Sequence, residues 1–221
     1  MRKILILSVI AAFAYAGCKK KVNNVSTTVV VSYPIITISG SQYVSIPVGG
    51  TFTPPAATAI DTYYKEKPTV VTNLGTLDNT IPGLYTVVYS AKNHYGFIGT
   101  ANVYVAVTNI SDSLDLSGWY IRTVSPANPH RAAHYVKLAR GLFMTNNVGG
   151  VDTADATTGA SVSAAFAVLS PTTIDFGSQL TSAGTLTATS TSLSLVPADT
   201  VVAYALNLSG FGTQVRTFVK Q

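Results

Sequence analysis

Apolar and polar residues alternate in short runs along most of this chain, and Gly, Pro, Asn or Asp cuts each run off within a few residues. Ile36 and Ile38 alternate with Thr37 and Ser39 before Gly40. Tyr85, Val87 and Tyr89 alternate with Thr86, Val88 and Ser90, and Val103, Val105 and Val107 with Tyr104 and Ala106. Period-two runs separated by turn residues predict half-buried antiparallel strands, and their spacing suits a β-sandwich. No sustained stretch has a helical period. Farther along, Trp119 to Val124 opens a second β-rich region. Tyr135–Leu138, Ala139–Gly141 and Leu142–Thr145 read as strand, glycine-containing turn and strand. Val201–Leu208 and Gln214–Val219 read as closing strands, whereas Ala132–Ala139 and Ala160–Leu169 have a composition that also allows short helices. Trp119, at the head of its strand, is expected in the core.

The first residues follow another pattern. Arg2 and Lys3 precede an apolar run, Ile4 to Ala16, and Gly17 and Cys18 close it. Thirteen residues make about 20 Å of helix, short of a ~30 Å hydrocarbon core, so the run reads as a cleaved export leader. Cys18 is the one cysteine of the chain and can form no internal disulfide. The Ala16-Gly17-Cys18 ending resembles a bacterial lipobox, which implies that Cys18 is lipidated and becomes the N-terminus.

Charge supports a membrane tether and removes a nucleic-acid reading. The formal net charge is +5, from fourteen Lys and Arg against nine Asp and Glu. Two of the basic residues lie in the leader and three, Lys19 to Lys21, follow the cysteine, which leaves nine against nine in the remainder. Lysines beside a lipid can meet anionic headgroups at about 1 kcal/mol each. No basic patch is left for nucleic acid.

The chain therefore divides into a leader (1–17), a lipidated cysteine and tether (18–32), a first β domain (33–108), a polar linker (109–115) and a second β domain (116–221). Tyr33-Pro34-Ile35-Ile36-Thr37-Ile38, Val48-Gly49-Gly50-Thr51-Phe52-Thr53-Pro54-Pro55 and Pro82-Gly83-Leu84-Tyr85-Thr86-Val87-Val88-Tyr89-Ser90-Ala91 together resemble a bacterial immunoglobulin-like domain of Bacteroidota envelope lipoproteins. Pro54 and Ala56 depart from that pattern, where the family usually has Asp and often Gly. Gly118-Trp119-Tyr120 through Asn146-Asn147-Val148-Gly149-Gly150 resembles, more loosely, the C-terminal domain of an uncharacterised lipoprotein family. The fold class expected is all-β, an immunoglobulin-like sandwich followed by a second antiparallel domain, sandwich or barrel-like. In such a sandwich, Tyr85 falls where a hydroxyl can cap the backbone of a corner.

Candidate chemistry is sparse. His130 and His134 lack a third ligand, Asp152 and Asp155 fall short of a calcium loop, and no nucleophile motif is present. No catalytic residue, metal or cofactor is expected. Asp61–Pro68 and Lys92–Phe97 read as loops at one end of the sandwich, so that Tyr63, Tyr64 and Tyr95 would form an aromatic platform for sugar rings or apolar groups. Asp112-Ser113-Leu114 resembles a Bacteroidota O-glycosylation acceptor at Ser113. The expected role is a non-enzymatic, membrane-anchored spacer that presents the C-terminal domain, in the outer membrane and facing either the cell surface or the periplasm. The alternative is a glycan-binding accessory of polysaccharide uptake. Partners expected are the membrane and a glycan or another envelope protein.

Overall fold

Period-two patterning becomes strands throughout the computed structural model, which describes residues 29–123, 128–155, 160–196 and 199–221. Residues Ser32–Gln221 form one compact unit. The first domain has six strands: β1 (Ile35–Ile38), β2 (Tyr43–Ile46), β3 (Ala57–Ile60), β4 (Val70–Asn73), β5 (Gly83–Lys92) and β6 (Ile98–Val107). β1 pairs antiparallel with β3, and the facing sheet has the order β2-β6-β5-β4, with β2 parallel to β6. Val87, Tyr89, Val103, Val105 and Val107 are fully or almost fully buried between the sheets, against the half-buried Ile36 and Ile38. The Tyr85 hydroxyl donates to the carbonyl of Ile81 at 2.9 Å and caps the corner that Pro82-Gly83 turns.

The second domain is one curled antiparallel sheet of nine strands. They are β7 (Gly118–Arg122), β8 (Ala132–Ala139), β9 (Leu142–Thr145), β10 (Ala164–Ser170), β11 (Thr173–Asp175), β12 (Gln179–Thr181), β13 (Gly184–Ser194), β14 (Val201–Asn207) and β15 (Val215–Lys220). The spatial order is β11-β10-β9-β8-β7-β15-β14-β13-β12. The chain thus meanders outward from β7 to β11, crosses over, and returns from β12 to β15 beside its starting strand. Curling brings the far ends together: the Leu193 amide donates to the Thr172 carbonyl at 2.9 Å, and the buried Gln179 amide bonds both polar groups of Ala165 and the carbonyl of Phe176. The concave face holds the core, with Tyr120 stacked on Tyr135 at 4.1 Å and Tyr204 on Phe218 at 5.5 Å. Phe143, Phe166 and Phe176 complete it.

Three expectations are corrected or resolved. Ala132–Ala139 is a strand, as is the described part of Ala160–Leu169 from Ala164 onward. β10 is buried on both faces, so its sequence shows no alternation and resembles a buried helix by composition. Trp119 is not in the core but 54% exposed. Strand parity sends Tyr120 inward and Trp119 outward, where it stacks on His134, its partner across β7 and β8, at 4.8 Å.

The two domains pack against each other. Ala165 and Ala167 face away from the curled core and join Leu142, Leu84 and Ala106 in a buried cluster shared by both domains. Small side chains on β10 and β6 let the backbones approach closely. The Asp175 carboxylate accepts from the amide of Leu84 at 2.8 Å and from that of Gly177 at 3.0 Å, and the Thr108 hydroxyl donates to the Val168 carbonyl at 2.7 Å. Gly177 has φ +56°, and a Cβ there would strike the Leu84 carbonyl, so this approach requires glycine. The 109–115 segment is tied at both ends: Asn109 accepts from the Val48 amide, and Ile110 and Leu114 pack on the C-terminal core.

Candidate functional site

β3 ends at Ile60 and the chain turns back at once. Asp61 and Glu66 form a two-bond bridge, with N···O distances of 2.9 and 3.2 Å, around the turn Thr62-Tyr63-Tyr64-Lys65. Lys65 closes the turn in the left-handed region, at φ +56°. Asp61 is fully buried and holds this turn. One of its carboxylate oxygens accepts from the amides of Tyr63 and Tyr64, both at 3.1 Å, and from the Ser32 hydroxyl at 2.7 Å. The other accepts from the Asn93 side chain at 2.8 Å. Desolvation pushes its pKa up, but the hydrogen bonds from Asn93, Ser32 and the two tyrosine amides outweigh it and hold the carboxyl below the ordinary range.

Asn93 organises the opposite loop, between β5 and β6. Its side-chain oxygen accepts from the amides of Tyr95 and Phe97, and its amide also donates to the Ser32 carbonyl. A carboxylate–amide pair therefore fastens both loops and the entering chain to one end of the sandwich.

On this frame the three tyrosines come together as the sequence suggested. Tyr63 meets Tyr64 edge-on at 4.9 Å, and Tyr64 lies 4.7 Å from Tyr95. His94, which sequence reasoning left out, completes the group: its ring is 3.9 Å from Tyr95 and 4.9 Å from Tyr64. The His94 ring nitrogen Nδ1 lies 3.0 Å from a Glu66 carboxylate oxygen, so the two loops are also joined by an ionisable pair. The adjacency of His94 and Tyr95 was the available signal, but the partner that orients the ring, Glu66, lies twenty-eight positions away. Tyr63 and Tyr95 are 56% and 44% exposed, while Tyr64 is half-buried between them. The result is an aromatic face with two accessible rings and a polar rim of Lys65 and Glu66. Such a face offers π-surfaces and hydroxyls.

The other candidate residues are scattered. Ser113 is exposed in a turn, its hydroxyl 2.8 Å from that of Ser111, while the neighbouring Asp112 pairs with Lys137 at 3.1 Å. His130 sits in a single 3₁₀ turn, Pro129–Arg131, and His134 on β8. Among the described residues, no group of three or more His, Cys, Asp or Glu is placed to hold a metal ion, and no helix is long and apolar enough to cross a membrane. Cys18, with the leader and most of the tether, lies outside the described residues.

A family model described as "Bacterial surface protein, Ig-like domain" matches residues 36–107. The first domain is therefore of a kind found in bacterial surface proteins, which points to the cell envelope. No curated protein matches the chain. Among solved structures, a lipoprotein from Bacteroides thetaiotaomicron is 20% identical, with 85% of this chain and 100% of that one covered and a TM-score of 0.38. Likeness at that level transfers no activity.

Proposed function

We propose that this protein is a non-enzymatic envelope lipoprotein, anchored through Cys18, whose immunoglobulin-like domain is a rigid spacer and scaffold for the C-terminal β domain. One observation carries the reading: the chain enters at one end of the sandwich and hands over to the second domain at the other. Ser32 is bonded to Asp61 and Asn93 beside the aromatic end. Leu84, Ala106 and Thr108, which hold the second domain, lie at the opposite ends of β5 and β6. Ten-residue strands separate those ends by roughly 30 Å. The buried inter-domain cluster adds stiffness that a free linker would lack.

Two measurements test the reading. Labelled fatty acid should enter the wild-type chain and not Cys18→Ala. In acylated protein on vesicles, Cys18 is blocked, so a single dye can be placed at Lys67→Cys, near the entry, or at Arg140→Cys, in the turn that abuts Thr108 and Ile110. Energy transfer to a headgroup acceptor should be strong from the first position and weak from the second. Equal transfer would refute the spacer role, and label in both chains would refute the anchor.

The assembled Tyr63, Tyr64, His94 and Tyr95 group favours a second reading, glycan binding on the aromatic face. Retardation in a polysaccharide affinity gel that disappears in the Tyr63→Ala/Tyr64→Ala double variant would support it. Equal retardation of both proteins would remove it.

A further inference from the structure

A concavity of about 480 Å³ opens in the C-terminal domain, where Arg122, Arg131 and Arg216 converge beside Phe211, Val162 and Ala183. Arg122 lies on β7 and Arg216 on the neighbouring β15, two residues from Phe218, the strand partner of Arg122. Phe218 and Tyr120 belong to the core, so strand parity sends both arginines to the same concave face. Arg131 joins them from the last position of the 3₁₀ turn. Arg216 is only 4% exposed.

The turn at Gly149 and Gly150 gathers the three guanidiniums. Arg216 donates through Nε to the Gly149 carbonyl at 3.0 Å and through Nη1 to that of Gln214 at 3.1 Å, and Nη2 bonds the Phe211 carbonyl. Arg122 uses Nη1 alone, toward the Gly149 and Gly150 carbonyls at 3.2 and 3.4 Å. Arg131 likewise uses Nη1 alone, toward Gly150 at 3.4 Å. Gly150 has φ +54°, and a Cβ there would come within 2.5 Å of the Arg122 side chain, so the gathering depends on this glycine. Among the described residues, Nε and Nη2 of Arg122 and Arg131 keep their donors uncommitted. Two such edges can each grip an oxyanion in a fork.

Among the described residues, no ion pair joins a carboxylate to Arg122 or Arg216. Asp112 is paired with Lys137, and Glu66 lies against His94 in the first domain. Asp152, held by Asn128 and by the Ala154 amide, is within electrostatic reach of Arg131. Burial, followed by the neighbouring Arg216 and Arg131 cations, pulls the Arg122 pKa below the usual arginine value. Backbone carbonyls offset part of a guanidinium charge, but a buried cation, Arg216, beside two half-buried ones, Arg122 and Arg131, still favours a counter-ion. Phe211, Val162 and Ala183 supply apolar lining, and the Arg216 guanidinium lies 5.9 Å from the centre of the Phe211 ring.

We propose that this concavity binds a small organic anion, a carboxylate or phosphate monoester, whose charged group is forked by Arg122 and Arg131 and whose ring or apolar body packs on Phe211 and Val162. The site depends neither on the anchor nor on the aromatic face of the first domain.

Calorimetric titration of the mature chain with benzoate, phenyl phosphate and, as the uncharged control, benzyl alcohol tests it. At least one of the anions should bind saturably, benzyl alcohol should not, and which anion binds separates carboxylate from phosphate recognition. Affinity should drop tenfold or more in Arg122→Gln and in Arg131→Gln, less in Arg122→Lys, and should weaken with added salt. Arg131 is half-exposed and makes one backbone bond, so Arg131→Gln tests binding without a folding defect, as an unchanged circular dichroism spectrum would verify. Absence of saturable heat with both anions, equal binding of benzyl alcohol, or undiminished affinity in Arg131→Gln would overturn the proposal.

Discussion

Leu84→Ala probes whether the two domains stand or fall together. Leu84 belongs to β5 of the immunoglobulin-like domain, is 4% exposed, and packs on Ala106, Leu142, Ala165 and Ala167. Truncation removes three carbon groups, worth about 2.4 kcal/mol at ~0.8 kcal/mol per buried methylene. Its neighbours are mostly alanines on paired strands, which cannot move in to fill the void, so a cavity term adds to this and the total loss is about 3–4 kcal/mol. Trp119 is the one tryptophan and lies in the other domain, beside His134. Urea unfolding followed by Trp119 fluorescence therefore reports the C-terminal sheet, and far-ultraviolet circular dichroism reports both domains. The two midpoints should coincide in the wild type and fall together in the variant, by the free-energy loss divided by the m-value. A Trp119 transition that stays in place while the dichroism midpoint moves would mean that the domains unfold independently. A loss under about 1 kcal/mol would mean that water already fills the junction. Either result refutes the reasoning.

Further outcomes follow from single contacts. Tyr85→Phe removes the bond to the Ile81 carbonyl and should lower stability by about 0.5–1.5 kcal/mol in chemical denaturation. Tyr120 and Tyr204 should respond with opposite signs: the buried Tyr120 hydroxyl has no partner among the described residues, so Tyr120→Phe should be neutral or stabilising, whereas Tyr204→Phe orphans the Val148 carbonyl and should cost about 1–3 kcal/mol. Asp61 has a folded-state pKa below its ordinary value of 3.8. Its contribution is thus present above the unfolded value and lost as pH falls through the folded one. Urea midpoints measured across the acid range should decline less steeply for Asp61→Asn than for the wild type, and parallel declines would contradict the assignment.

Much of the fold was legible in the chain because alternation is a local property. Val87, Tyr89, Val103, Val105 and Val107 are buried as their parity indicates. The turn chemistry of Pro82-Gly83 placed the Tyr85 cap. β10 was illegible for a physical reason: a strand covered on one face by its own core and on the other by the neighbouring domain needs no polar face, so Ala164–Val168 shows no period. Trp119 misled because size suggests burial while parity, set by pairing with β8, decides it.

The aromatic face was half legible. Two loops at one end of a sandwich follow from strand order alone, so Tyr63, Tyr64 and Tyr95 could be grouped from sequence; His94 could not, because its place depends on Glu66 across the gap. The arginine cluster was invisible, since Arg122, Arg131 and Arg216 sit on separate elements and meet only when β15 closes beside β7. Composition and periodicity by themselves settled the β class and the neutrality of the remainder beyond the basic N-terminal segment, because each is carried by neighbouring residues. Which distant residues share a surface was left to the tertiary structure, since strand order and sheet curl are collective outcomes of packing that no local stretch of chain encodes.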